Sequence, residues 1–281
     1  MGTHQTQLAP ASVQGVLNYL QDTGERPVNY TYPAPEGVAQ RSGVLDPTQV
    51  TIHNARLLDE PASINRQGFE KVDHTSAVTN LEDDEQVRLL YYPETEALLK
   101  QQTGAVKVVI FDHTIRVDDP GREARGLREP VRYVHNDQTE RSAVRRVRDH
   151  LPSDEAQQRL LKRFAIINVW RPIGTPVFST PLALCDARSM AADDLLPSDL
   201  VYRDKVGETF SVKANPAHRW YYYPQLRPDE ALLLKIYDSR QDVARLSAHT
   251  AFDDPTTPDD APPRRSIELR ALVFFEEHYG M

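Results

Sequence analysis

The sequence is poor in cysteine, has no long apolar run and carries no excess of positive charge. Cys185 is the only cysteine, which excludes an intramolecular disulfide framework and thiolate metal clusters together. Its thiol reads as a small buried apolar group. No stretch approaches the roughly 18 apolar residues of a membrane span, and the polar start MGTHQTQLAP has no apolar signal core. A cytoplasmic chain without a membrane partner is therefore expected. Met1-Gly2-Thr3-His4-Gln5-Thr6 satisfies the formal myristoylation pattern, but nothing beside it supplies the second signal that stable anchoring needs. Lys and Arg number 33 against 41 Asp and Glu, a formal charge of -8. That balance disfavours a nucleic-acid partner, because phosphate-backbone binding is driven by Lys and Arg. Self-similarity at a period of about 20 to 50 residues is absent too, which argues against solenoids and propellers.

What is there is a chain cut into short pieces by 21 prolines. Val50 to Ala55, Ala105 to Phe111, Val131 to Asp137, Phe164 to Arg171, Ala231 to Tyr237 and Ser266 to Phe275 read as strands. Glu94 to Gln102 has helical spacing, and Ser153 before Asp154 and Glu155 looks like the N-cap of a helix over Ala156 to Phe164. Glu140 to His150 carries Arg141, Arg145, Arg146 and Arg148, a solvated helix face in so acidic a chain. The Pro and Asp run Asp253 to Pro263 is neither helix nor central strand and reads as an ordered rim loop. Together these features predict an α+β, mainly β protein: a jelly roll with flanking helices over residues 105–281, and a loop-rich N-terminal extension, 1–104, packed on it as part of one integrated domain.

Within Val131-Arg132-Tyr133-Val134-His135-Asn136-Asp137, strand alternation puts His135 and Asp137 on one face, able to grip one metal ion. An imidazole and a carboxylate two residues apart, with a distant His, is the facial triad of non-haem iron(II) oxygenases, which leaves coordination positions open for chemistry. Of the remaining His, His249 is best placed, in a loop after the strand candidate Ala231 to Tyr237. Fifteen residues later, Arg264 and Ser266 share a strand face. A guanidinium fork with a neighbouring hydroxyl suits one end of a dicarboxylate. Arg270 lies on the same face and is a rival for that role.

Six stretches carry a family resemblance: Phe111-Asp112-His113-Thr114-Ile115-Arg116, Val134-His135-Asn136-Asp137-Gln138-Thr139, Asn168-Val169-Trp170-Arg171-Pro172-Ile173, Lys235-Ile236-Tyr237-Asp238-Ser239, His249-Thr250-Ala251-Phe252 and Pro263-Arg264-Arg265-Ser266-Ile267-Glu268-Leu269-Arg270. In order and content they resemble the AsaB-like hydroxylase/desaturase family of secondary metabolism, also described as similar to proteins of cephamycin methoxylation. The resemblance implies a double-stranded β-helix, the cupin-like jelly roll of iron(II)/2-oxoglutarate-dependent dioxygenases. It implies Fe(II) on His135, Asp137 and His249, 2-oxoglutarate as co-substrate, and oxidation of a small organic molecule by O2 with succinate and carbon dioxide as co-products. The spacing from His249 to Arg264 is longer than is usual in that superfamily, and the Pro-rich run accounts for the excess.

Weaker candidates complete the set. Arg171 ends an apolar strand, where its charge needs a rim, a partner or a pocket, so with Asn168 it is a candidate for co-substrate or substrate contact. His113 and Tyr222 are candidate pocket residues, against hydrogen-bonding and packing roles respectively. Two readings from other classes compete with the oxygenase: a jelly-roll binding protein without turnover, and a zinc hydrolase in which two His and one Asp activate water. For the hydrolase, Arg264 and Ser266 have no evident purpose.

Overall fold

The computed structural model describes residues 9–121 and 127–278. The myristoylation-like start lies outside the described residues. Two sheets form the body. Five of the expected strands are long or well formed: β3 (Leu45–Asn54), β5 (Lys107–Val117), β7 (Lys162–Pro172), β12 (Glu230–Asp238) and β14 (Arg265–His278). The sixth, Val131 to Asp137, shrinks to β6 (His135–Asn136), because its backbone serves several partners. Val131 O accepts from Ala251 N, whereas Val134 N donates to Asn18 O.

The smaller sheet runs β4-β12-β7-β14-β5, with β4 covering Phe69–Asp73. The larger runs β1-β3-β11-β8-β13-β6-β10-β9-β2. Its further members are β1 (Ser12–Leu20), β2 (Val28–Tyr30), β8 (Leu182–Cys185), β9 (Leu195–Val201), β10 (Val206–Val212), β11 (Trp220–Tyr222) and β13 (His249–Ala251). Alternation sorts the side chains of each long strand. In β7, Ile166 and Trp170 join Leu184, Leu232 and Leu234 between the sheets, while Ile167 and Val169 turn outward against Leu98 and Leu99 of helix α2 (Tyr92–Thr103). Shorter helices are α1 (Asp84–Gln86), α3 (Glu140–His150) and α4 (Ser153–Leu160). Pro152 rather than Ser153 caps α4, which stops at Leu160 because Lys162 already belongs to β7. Arg141 and Arg145 on α3 pair with Glu208 and Asp149 at the surface, as a solvated face should. The Asp253 to Pro263 run is a loop tied down by an Arg132–Asp253 ion pair and a Thr257 hydrogen bond to Phe178 O.

The N-terminal third departs from the loop-rich extension expected of it. Residues 12–73 supply β1, β2 and β3 to the larger sheet and β4 to the smaller one. In β1 the inward positions Val13, Gly15, Leu17 and Tyr19 alternate cleanly with exposed ones, yet Gly15 dilutes the apolar pattern. Glycine lets the sheet pack closely there: a Cβ would sit 2.8 Å from Ile52 Cδ1 and 3.1 Å from Phe252 Cδ2, and both side chains would have to shift. A buried polar chain ties β1 to the sheet. Asp194 Oδ2 meets His218 Nε2 at 3.0 Å, His218 Nδ1 meets Tyr19 Oη at 3.0 Å, and Trp220 Nε1 donates to the same oxygen at 2.8 Å. Tyr19→Phe strands two buried polar groups and is expected to cost about 1 to 3 kcal/mol. Thermal or denaturant unfolding would read that loss, with turnover unchanged. Cys185 is fully buried in the same region, and burial pushes its thiol up to about 12, consistent with an inert apolar role.

Candidate metal centre

β6 and β13 are antiparallel neighbours, and His135 and His249 are paired directly opposite each other. Their rings consequently lie 4.5 Å apart. Asn136, between His135 and Asp137, points the other way. Its Nδ2 donates to Gln138 O at 2.7 Å and to Ile236 O at 2.9 Å, fixing the bend that brings Asp137 back beside the rings. Ligand atoms of His135, Asp137 and His249 all fall within 4.8 Å of one another, and no other such group occurs among the described residues. The acidic rim loop therefore assembles no comparable cluster.

The donor chemistry fits a divalent metal ion. His135 Nδ1 lies 2.9 Å from Tyr133 O and His249 Nδ1 lies 3.1 Å from Ser247 O. A carbonyl only accepts, so each Nδ1 carries a proton and Nε2 is the ring atom left to face a metal. Burial, with His135 alongside, brings His249 down to about 4, which keeps it neutral. Burial opposes ionisation of Asp137, but Arg270 and His135 beside it hold its carboxyl well below the usual carboxylate range. A neutral His249 and an ionised Asp137 are thus in the state that metal binding requires of its ligands.

These three residues open on a small cavity, of about 20 Å³, that Arg116, Trp170, Leu182, Arg264, Glu268 and Arg270 also line. Arg264 is only 3% exposed. Its Nε donates to Ser266 Oγ at 3.3 Å, its Nη1 to Thr180 O at 2.8 Å, and its guanidinium lies 5.0 Å over the Trp170 ring. Among the described residues no carboxylate pairs with it. Burial, with Arg116 nearby, pulls its pKa down to about 9, more than the Glu268 and Asp118 carboxylates offset. Arg116 faces the same cavity, and its Nη1 donates to Glu129 O at 2.8 Å.

Several candidates sit elsewhere. Arg171 is a correction: one residue past Trp170, it points to the outer face of β7, where Nη2 donates to His74 O at 3.0 Å and the guanidinium covers the Tyr91 ring. It lines no part of the cavity. His113 is another, since β5 continues through it and turns it outward to Tyr92 Oη at 2.9 Å. Tyr222 packs edge-on against Phe252 at 5.5 Å within a core cluster behind the larger sheet. Asn168 is at the centre, though bonded to Asp137 rather than open to the cavity. Arg270 does reach the cavity, but its guanidinium is committed to Asp137, Glu268, Asp112 and Thr114. Arg116, weighed with His113 as a pocket residue against a structural role, and Glu268, not singled out from the sequence, both line the cavity. Alternation along β5 and β14 was the available signal: 112, 114 and 116 share the face that meets 268 and 270.

Candidate metal donors and an arginine without a carboxylate partner among the described residues thus share one cavity of a jelly roll, and comparison with known proteins gives the class of the chain. A family model described as "Oxidoreductase/YMDC permease-like domain" matches residues 17–274. The "Fe(II)/2-oxoglutarate-dependent dioxygenase nvfI" of Aspergillus novofumigatus is 35% identical over 90% of this chain and 93% of that protein. The "Hydroxylase/desaturase CTB9" of Cercospora beticola is 35% identical over 81% of this chain and 76% of that protein. A solved structure of the iron and alpha-ketoglutarate-dependent endoperoxidase NvfI superposes with a TM-score of 0.85 at 33% identity, covering 95% of this chain and 99% of that one. The chain belongs to the hydroxylase/desaturase family of iron(II)/2-oxoglutarate-dependent dioxygenases.

Proposed function

We propose that His135, Asp137 and His249 hold Fe(II), that Arg264 and Ser266 hold the far carboxylate of 2-oxoglutarate, and that the enzyme oxidises a small organic molecule of secondary metabolism by hydroxylation, desaturation or ring formation. One observation carries the assignment of roles: a buried arginine without a carboxylate partner shares a cavity with the only clustered metal donors among the described residues. An anion with a second, metal-binding end answers both features at once. A zinc hydrolase needs no such arginine, and a protein that only binds its ligand needs no metal donor set.

When bound, iron supplies the oxidising step, in which 2-oxoglutarate and dioxygen give succinate and carbon dioxide while a substrate C–H bond is broken. The chain supplies position. Tyr133 O and Ser247 O orient the imidazoles so that their Nε2 atoms face Asp137. Arg264 and Ser266 fix the depth of the keto acid from β14, and Trp170 shields the guanidinium from water, which strengthens its hold on a carboxylate. The supply of strands by residues 12–73 supports one integrated catalytic unit over 1–104 and 105–281.

Anaerobic titration of the protein with Fe(II) and 2-oxoglutarate tests this function directly. A visible metal-to-ligand charge-transfer band is expected, and its absence at saturating metal would sink the proposal. Chelators should abolish turnover, with Fe(II) restoring it and zinc inhibiting. Restoration by zinc would favour the hydrolase.

A further inference from the structure

Asp137 presents its two oxygens to different neighbours. Oδ1 faces His135 Nε2 at 3.4 Å, on the side of the donor set. Oδ2 is turned away and doubly held, by Asn168 Nδ2 at 2.8 Å and Arg270 Nε at 3.2 Å. Both partners are themselves fixed. Asn168, completely buried in β7, donates its second proton to Glu268 Oε1 at 2.9 Å, and its own carbonyl oxygen finds no hydrogen-bond partner. A buried amide with an orphaned oxygen is costly. Two carboxylates dictate its orientation, so its amino group must point where it does. Arg270 spans from Asp137 to Glu268 at 3.0 Å and to Asp112 and Thr114 on β5, each at 3.0 Å, bracing the carboxylate against two neighbouring strands.

We propose that Asn168 and Arg270 are positioning residues that lock Oδ2 of Asp137, so that the carboxylate binds the metal through Oδ1 alone and leaves the remaining coordination positions to 2-oxoglutarate, dioxygen and substrate. The inference rests on the assignment of His135, Asp137 and His249 as the metal site. It gives Arg270 a task distinct from that of Arg264, although the two lie on one strand face. Outer partners of this kind change metal affinity on mutation by about 10- to 100-fold.

The test uses Mn(II) as probe, titrated into metal-free full-length protein and followed by the electron paramagnetic resonance signal of free Mn(II). Asn168→Ala and Arg270→Lys should each raise the Mn(II) dissociation constant at least tenfold, and should shift or weaken the anaerobic Fe(II)/2-oxoglutarate band at saturating metal. Arg270→Lys keeps a charge among the acidic groups and guards against simple unfolding, which the thermal midpoint monitors. Thr114→Val, which removes a contact only from the far side of Arg270, should stay within threefold of the parent. Folded Asn168→Ala and Arg270→Lys proteins that both bind Mn(II) within twofold of the parent would overturn the lock. Asp137→Ala separates this failure from the larger one: unchanged Mn(II) affinity there would remove the metal-site assignment itself and the lock with it.

Discussion

Arg264→Leu is expected to raise the dissociation constant for 2-oxoglutarate at least tenfold while metal binding stays intact. The side chain is 3% exposed and carries no carboxylate partner among the described residues, so its donors are poised for an anion. Loss of a charge-assisted, two-pronged contact is worth about 1.5 to 3 kcal/mol. Removing the cation should not unfold the protein, because its burial without a counterion is already unfavourable. Lysine at this position should rescue only in part, since an ammonium keeps the charge but loses the planar fork. Arg270→Lys is the informative comparison. Its parent guanidinium is already shared among Asp137, Glu268 and Asp112, so 2-oxoglutarate affinity at saturating metal should be little changed. Anaerobic titration of 2-oxoglutarate into both iron-loaded variants decides the matter. A larger loss in the Arg270 variant would move the clamp, and no loss in either would remove the dicarboxylate from this strand.

The contrast between these two arginines shows where a sequence stops being informative. Period-two spacing puts 264, 266, 268 and 270 on one face, and they do face one cavity or its wall. Which of them is free depends on carboxylates distant in the chain, Asp112 and Asp137, that only the sheet register brings to Arg270. The same limit governed Arg171. It is held on the outer face by His74 O and the Tyr91 ring, which arrive from other elements, although its buried Nε keeps no hydrogen-bond partner. His135, Asp137 and His249 were legible as a candidate set because a spacing that is weak by itself agreed with a family resemblance in motif order, and the strands β7, β12 and β14 because long apolar runs sit on both sides of a central sheet. Strands of the larger sheet were not. Several are three residues or fewer, and β1 carries a glycine at an inward position, so little periodicity accumulates in any one of them.

His135→Ala, Asp137→Ala and His249→Ala are each expected to abolish 2-oxoglutarate turnover coupled to substrate while the protein stays folded. Fold retention follows from how little each side chain contributes to the core. The His135 side chain bonds Tyr133 O and faces Asp137 Oδ1 at 3.4 Å, and the His249 side chain bonds Ser247 O, contacts that water filling the vacated space can replace. Asp137 is the harder case, because its removal frees a donor on Asn168 and one on Arg270. Glu268 and Asp112 nevertheless still balance the Arg270 charge, so the loss should fall within the range of about 0.5 to 3 kcal/mol usual for single substitutions rather than the larger cost of an orphaned ion. Function has no such reserve. A set of two His and one carboxylate holds the metal on one face and leaves adjacent positions open for a chelating co-substrate and dioxygen, and Asp137 is the only carboxylate in the set. Succinate formation with and without substrate, measured beside the thermal midpoint, separates the two effects. Near-normal coupled succinate production in any of the three folded variants would show that the residue is not a ligand.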